Sequence, residues 1–250
     1  MLDKKTVSFE VPPAMNSGRK VAIVTGASQG IGAALVRAFR DRDYGVVANS
    51  RSIEPTQDEN VRTVAGDISK RETALAIVDE AIRGFGRIDC LVNNAGIFLA
   101  KPFTEYTEDD LRDVLATNVA GFFHVTQASI ARMVDQAVGH VVNITATLAD
   151  HPSSKLPAVL TSVTKGGLNS ATKALAIEYA SAGIRVNAVS PGATQTRMQP
   201  VQPHQTLREP SPLGRMGDVS DIVGAVLYLE SAPFVTGEIL HVDGGESAGN

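Results

Sequence analysis

The chain has 250 residues, 43% of them apolar, enough for one sizeable core without covalent staples. Its 23 basic and 27 acidic side chains leave a formal charge of −4, which speaks against a broad nucleic-acid footprint or a polybasic membrane surface. One cysteine excludes an intrachain disulfide, no Cys/His cluster has zinc spacing, and no apolar run nears the roughly 18 residues of a membrane span. The opening Met1-Leu2-Asp3-Lys4-Lys5 lacks the apolar core of a signal peptide, so a soluble, cytoplasmic protein is expected.

Residues 1–17 hold no sustained period and include Pro12-Pro13, which predicts a poorly ordered arm. From Lys20 onward two kinds of segment alternate. Short β-branched apolar runs occur at Val21–Thr25, Val46–Ala48, Arg62–Ala65, Asp89–Asn93, His140–Ile144, Arg185–Val189 and Glu238–Val242. Between them lie segments with an apolar residue every three or four positions: Ala33–Arg40, Thr73–Ile82, Leu111–Val134, Ser162–Ala180 and Val219–Leu229. Apolar strands alternating with amphipathic helices predict βαβ units, hence an α/β Rossmann fold: one doubly wound seven-stranded parallel sheet covered on both faces. Ligands of such a sheet sit at the carboxyl ends of its strands. No repeat or linker divides residues 18–250, so they are expected to be one domain. The irregular, proline-rich stretch near 197–217 is long enough to be a substrate lid.

The first strand is followed by Thr25-Gly26-Ala27-Ser28-Gln29-Gly30-Ile31-Gly32, which opens the first predicted helix. Glycines there allow a tight turn, backbone approach to a pyrophosphate, and close helix–strand packing, while the helix start offers free N–H groups. An ordinary glycine turn is the alternative, and its place in the first βα junction favours the dinucleotide reading.

TGASQGIG resembles the TGxxxGIG motif of the short-chain dehydrogenase/reductase family. Further landmarks follow in order: Gly66-Asp67-Ile68, Asn93-Asn94-Ala95-Gly96, Thr117-Asn118-Val119-Ala120-Gly121, Arg185 to Pro191-Gly192, Thr196, and Thr236 to Gly245. The resemblance implies the same fold from about Arg19 to Gly245 and a nicotinamide cofactor. It implies that Asp67 and Ile68 flank the adenine and that Asn94, with Ala95 and Gly96, lines the channel. Pro191, Gly192, Thr194 and Thr196 would meet the nicotinamide and pyrophosphate side. Asp67 as a helix cap, and the asparagine pair as turn-satisfying groups, stay open. The family also implies a homotetramer joined through the long segments Leu111–Val134 and Ser162–Ala180 and the last helix and strand.

At the end of the second strand, a carboxylate would bind a ribose hydroxyl and repel a 2′-phosphate. The acidic position falls on Ser50, followed by Arg51 and Ser52, with Arg37 more distant. NADP(H) is therefore expected over NAD(H), although Arg51 as a merely solvated loop residue is the bland alternative.

The family's catalytic set departs from pattern here. Its members use a serine to orient a carbonyl, a tyrosine to protonate it, a lysine four residues later to lower the tyrosine pKa, and an asparagine. Asn118 and Lys165 are present, but Thr161 holds the tyrosine position and Ala146 the serine position. None of Tyr44, Tyr106, Tyr179 or Tyr228 precedes a lysine by four. Thr145 and Thr147 flank the serine position, with backbone bonding as their alternative. Lys165 can hold the cofactor ribose or donate a proton, and His151 is a weaker loop candidate acid. Cys90 reads as a small buried hydrophobe. The expected function is hydride transfer between NADP(H) and a small carbonyl/alcohol or activated alkene. The alternative is a dinucleotide-binding protein without turnover, a redox sensor or an inactive oligomer partner. A small-molecule substrate is expected, without metal, nucleic-acid or membrane partners.

Overall fold

The computed structural model describes residues 18–196 and 211–249. The expected arm, and residues 197–210 of the expected lid, lie outside the described residues. Of that stretch, Ser211–Gly217 form turns tied to the domain by Leu213 N–H to Gly244 O (3.1 Å) and Gly217 N–H to Ala193 O (2.8 Å).

The strands are β1 (Val21–Thr25), β2 (Gly45–Ser50), β3 (Val61–Ala65), β4 (Cys90–Asn93), β5 (Gly139–Ile144), β6 (Ile184–Pro191) and β7 (Ile239–Val242). The helices are α1 (Gly30–Arg40), α2 (Arg71–Phe85), α3 (Glu108–Leu115), α4 (Gly121–Gln136), α5 (Val159–Tyr179) and α6 (Val219–Ser231). All seven strands are parallel, in the order β3-β2-β1-β4-β5-β6-β7. This is the expected fold. The chain starts in the middle of the sheet, runs outward to β3, then crosses back to β4. That reversal opens a crevice between the carboxyl ends of β1 and β4.

The runs of β-branched residues in β1, β2, β4 and β5 are buried on both faces, as a covered parallel sheet requires. One core layer packs Leu91 and Val141 beneath Ile77 and Val78 of α2, Val125 and Met133 of α4, and Ala176 of α5. The opposite layer packs Val46 and Val92 beneath Leu35 and Phe39 of α1 and Ile222, Val226 and Leu229 of α6. The edge strands β3 and β7 are only partly buried. No helix among the described residues is long and apolar enough to cross a membrane.

Leu111–Val134 reads in sequence as one helix, but the structure inserts a π-helical turn at Ala116–Ala120 between α3 and α4. Thr107 and Asp110 cap α3 reciprocally, side chain to backbone, at 3.2 and 2.8 Å.

At the amino ends of the strands, Cys90, His140 and Glu230 bring ligand-type atoms within 4.8 Å of one another, a meeting that no short sequence spacing announces. Protons fill this space. The Asn187 amide is fixed because its Oδ1 accepts from Glu238 N–H (3.0 Å), so its Nδ2 donates to His140 Nε2 (3.0 Å). His140 Nδ1–H therefore donates to Glu230 Oε2 (2.7 Å), while the Tyr44 hydroxyl donates to Oε1 (2.9 Å). Lys20 and Arg185 lie 3.5 and 3.9 Å from the same carboxylate. The cluster is a buried hydrogen-bond knot around one anion, and the basic groups beside it disfavour a metal cation.

Candidate active site

The glycine turn joins β1 to α1 at the sheet crevice. Gly26 has φ +65°, and a Cβ there would lie 2.9 Å from Ala95 Cα. A Cβ on Gly32 would come within 2.2 Å of Gly26 O, so this glycine serves the packing of helix on turn rather than the cleft wall. Asn94 secures the arrangement: its Nδ2 donates to Thr25 O (2.9 Å) and Gly26 O (3.1 Å). Its neighbour Asn93 donates to Thr126 Oγ1 (2.8 Å) and Asn143 Oδ1 (2.9 Å), part of a buried polar chain behind the site. Gln29 makes no side-chain cap, so the first N–H groups of α1 remain available to an anion.

The cleft above this turn is lined by Gly26, Ser28, Gln29, Gly30, Ile31, Ser50, Arg51, Ser52, Asp67, Ile68, Asn94, Ala95, Gly96 and Thr196. All were expected from sequence. Asn49, Gly66, Ile97 and Thr117 also line it and were missed. Asn49 is buried, with Nδ2 donating to Val64 O (2.9 Å) and Gly66 O (3.3 Å), which holds the β2 and β3 ends together. Asp67 caps Ser69 N–H at 2.9 Å while lining the cleft, so the two readings of this residue coexist. That hydrogen bond, with smaller help from the Arg51 and Lys70 charges, holds its carboxyl below the usual range.

The cleft continues into a second cavity of about 260 Å³ at the carboxyl ends of β5 and β6. Ile31, Asn94, Gly96, Ile97 and Thr196 line both spaces. The second is bounded further by Phe98, Ile144, Leu148, Leu156 and Met216, and by Thr145, Ala146, Thr147, Thr161, Lys165, Pro191, Gly192, Thr194 and Glu246. Lys165 is buried, its Nζ donates to Ile144 O (2.7 Å), and burial pulls its pKa down to about 8. Asn118 sits in the π-turn with Oδ1 accepting from Ile97 N–H (2.8 Å) and Nδ2 donating to Ile97 O (3.0 Å). It thus clamps the segment that borders both spaces and does not itself line either.

Thr161 and Ala146 both face the cavity, as their sequence positions imply. The Thr145 hydroxyl donates to Val189 O (3.3 Å), and that of Thr147 lies 3.3 Å from Ser190 O and 3.2 Å from Asp243 Oδ2. Both are engaged with the β6–β7 floor. His151 is exposed and outside the cavity lining, its ring edge-on to His241 at 5.9 Å between centroids. Chain proximity to the lysine helix does not bring it into the cavity lining. Glu246 was missed: it follows the last glycine pair and reaches the cavity only through the fold, with Oε1 accepting from Ala193 N–H (3.4 Å).

A glycine turn, an uncapped helix start and a channel leading to a buried lysine thus adjoin one another at the carboxyl ends of the strands. A family model described as enoyl-(acyl carrier protein) reductase matches residues 26–247. The chain is 35% identical over 245 residues to an acetoacetyl-CoA reductase of Acinetobacter sp., covering 92% of this chain and 98% of that protein. It is 33% identical over 246 residues to a 3-oxoacyl-[acyl-carrier-protein] reductase of Vibrio cholerae, with the same two coverages. Among solved structures, a 3-ketoacyl-(acyl-carrier-protein) reductase from Brucella melitensis complexed with NADH superposes with a TM-score of 0.82 at 31% identity, covering 91% of this chain and 98% of that one. ElxO with NADP bound gives 0.84 at 29%, covering 92% and 100%. The chain belongs to the short-chain dehydrogenase/reductase family.

Proposed function

We propose that this protein is an NADP(H)-dependent oxidoreductase acting on a small carbonyl/alcohol or activated-alkene substrate. The observation that carries this reading is the continuity of the glycine-turn cleft with the cavity holding Lys165. Two structural neighbours are described with NADP or NADH bound, which supports a nicotinamide cofactor. Such a cofactor supplies hydride transfer at the junction of the two spaces. The chain's own groups do the rest. The α1 start and Gly26–Gly32 turn bind the pyrophosphate, Asp67 and Ile68 border the adenine, and Lys165 and Thr196 hold the nicotinamide side. Pro191, Gly192 and Thr194 wall the cavity there.

NADP(H) is preferred in this proposal because Ser50, Arg51 and Ser52 form the wall at the end of β2, with no carboxylate among the three. Fluorescence titration should give NADPH at least about a tenfold advantage over NADH, roughly 1.4 kcal/mol, the scale of one charge-assisted contact. Arg51→Ala should erase most of that advantage and leave NADH affinity nearly unchanged. Equal affinities in the unmutated protein would refute the preference. We place the protein in the cytoplasm as a homotetramer.

Cofactor binding without turnover is a second reading, favoured by one observation: Thr161 and Ala146 bring neither a phenol nor a serine hydroxyl to the cavity. Steady-state NADPH oxidation across ketones, quinones and enones separates the two.

A further inference from the structure

The cavity beyond the dinucleotide cleft is short of proton donors, and one carboxyl side chain, Glu246, lines it. Hydroxyls of Thr145, Thr147 and Thr194 lie within hydrogen-bond reach of the Val189, Ser190 and Gly192 carbonyls, at 3.1–3.3 Å. Thr161 adds only an aliphatic alcohol, a far weaker acid than a phenol. Ile97, Phe98, Leu148 and Leu156 line the same cavity as Glu246. One of its oxygens accepts a long bond from Ala193 N–H, and the other has no hydrogen-bond or ion-pair partner among the described residues. That second oxygen approaches the cavity floor because residue 192 is glycine: a Cβ there would sit 3.0 Å from Oε2. A carboxylate in an apolar recess with an unused oxygen attracts a cation or a strong hydrogen-bond donor.

Both features suit one substrate class. We propose that the site acts on an iminium/amine couple, with Glu246 as the counter-ion of the iminium. This rests on the NADP(H) oxidoreductase reading and narrows its substrate. Reducing a ketone needs a hydride at carbon and a proton at oxygen, and a placed acid for that proton is worth ~10²–10⁴-fold. An iminium ion needs no proton. Hydride from the reduced nicotinamide adds to the iminium carbon, the C=N π pair becomes the nitrogen lone pair, and a neutral amine and oxidised nicotinamide result. Lys165, its pKa already pulled to about 8 by burial, can be neutral when a cation occupies the same cavity.

The test uses the full chain, an N-methyl dihydroisoquinolinium salt, which is a permanent cation, and a tetralone as its neutral bicyclic counterpart. Calorimetric titration into the protein saturated with NADP⁺ reads binding without turnover. The iminium should bind at least about tenfold more tightly than the ketone. Glu246→Gln, isosteric and uncharged, should remove that advantage by weakening iminium binding. With NADPH, the unmutated protein should consume cofactor with the iminium at least about a hundredfold faster than with the ketone, and C4-deuterated NADPH should place deuterium in the amine. Equal binding of the two probes, an unaltered preference in Glu246→Gln, or brisk ketone reduction would each overturn the proposal. The wild-type comparison decides it even where the variant is unstable. NADPH binding without iminium reduction overturns this inference alone, whereas absence of any dinucleotide binding removes the oxidoreductase reading with it.

Discussion

Thr161 lines the second cavity one helical turn before Lys165 on the same face of α5. A phenol there would lie one turn from Lys165, whose ammonium form would lower the phenol pKa by its charge. Thr161→Tyr with Ala146→Ser should therefore raise NADPH-dependent ketone reduction by up to ~10²–10⁴-fold, and Thr161→Tyr alone by less, because the carbonyl would lack its orienting hydroxyl. A folded double variant that binds NADPH and gains no ketone reductase activity would show that more than two side chains separate this pocket from a ketone-reducing one. That Thr161 and Ala146 fall at the cavity was legible in the sequence because both positions are fixed by nearby landmarks, the Asn143-Ile144 strand end and Lys165. Glu246 was not. It belongs to no short pattern, and its bond to Ala193 spans 53 residues that only the β6–β7 pairing brings together.

At the scale of elements, the seven strands are read well from sequence because a sheet covered on both faces demands unbroken β-branched runs, as in Val21–Thr25 and His140–Ile144. The π-turn at Ala116–Ala120 escaped because it leaves the apolar spacing of the segment intact, and the Asn118 bonds to Ile97 made from it span 21 residues that no local pattern announces. Its effect shows on the outer face. Four residues of α-helix overshoot a full turn by about 40°. The wider π winding takes that drift back. Leu111, Leu115, Val119 and Phe123 follow one another at this spacing and are all exposed, Phe123 at 56%. On α5, Val163 and Ile177 are exposed at 58% and 81%. Such apolar stripes point to burial against another copy. We expect a D₂ tetramer built on two-fold contacts, read by light scattering at micromolar concentration. Phe123→Glu with Ile177→Glu should reduce the mass to that of a smaller species without loss of secondary structure.

Across the whole molecule the sheet has two unlike ends: carboxyl ends open to cleft and cavity, amino ends closed by the Glu230 knot. Burial, with the Arg185 charge, holds His140 below its ordinary value of 6.5 despite the Glu230 hydrogen bond, so the folded protein carries it neutral. The unfolded chain binds a proton there below pH ~6.5, so stability is full above that value and declines as pH falls beneath it. Burial pushes Glu230 up, but the hydrogen bonds from His140 and Tyr44 outweigh it and leave the carboxyl below its ordinary 4.5. Its contribution is lost at still lower pH, as that folded value is crossed. Melting temperature should thus fall steadily from pH 6.5 toward 5, and His140→Gln should flatten that slope while lowering the plateau. An unchanged slope in the variant would place the acid sensitivity elsewhere. The same knot has a practical side. Cys90 is fully buried, and burial raises its thiol pKa well above the ordinary value, so it offers no thiolate to an alkylating reagent. A cysteine installed at an exposed position such as Leu213, three residues before the cavity-lining Met216, would be the one thiol open to a fluorophore or spin label. Ligand entry can then be followed in the otherwise native protein, without first removing a cysteine from its core.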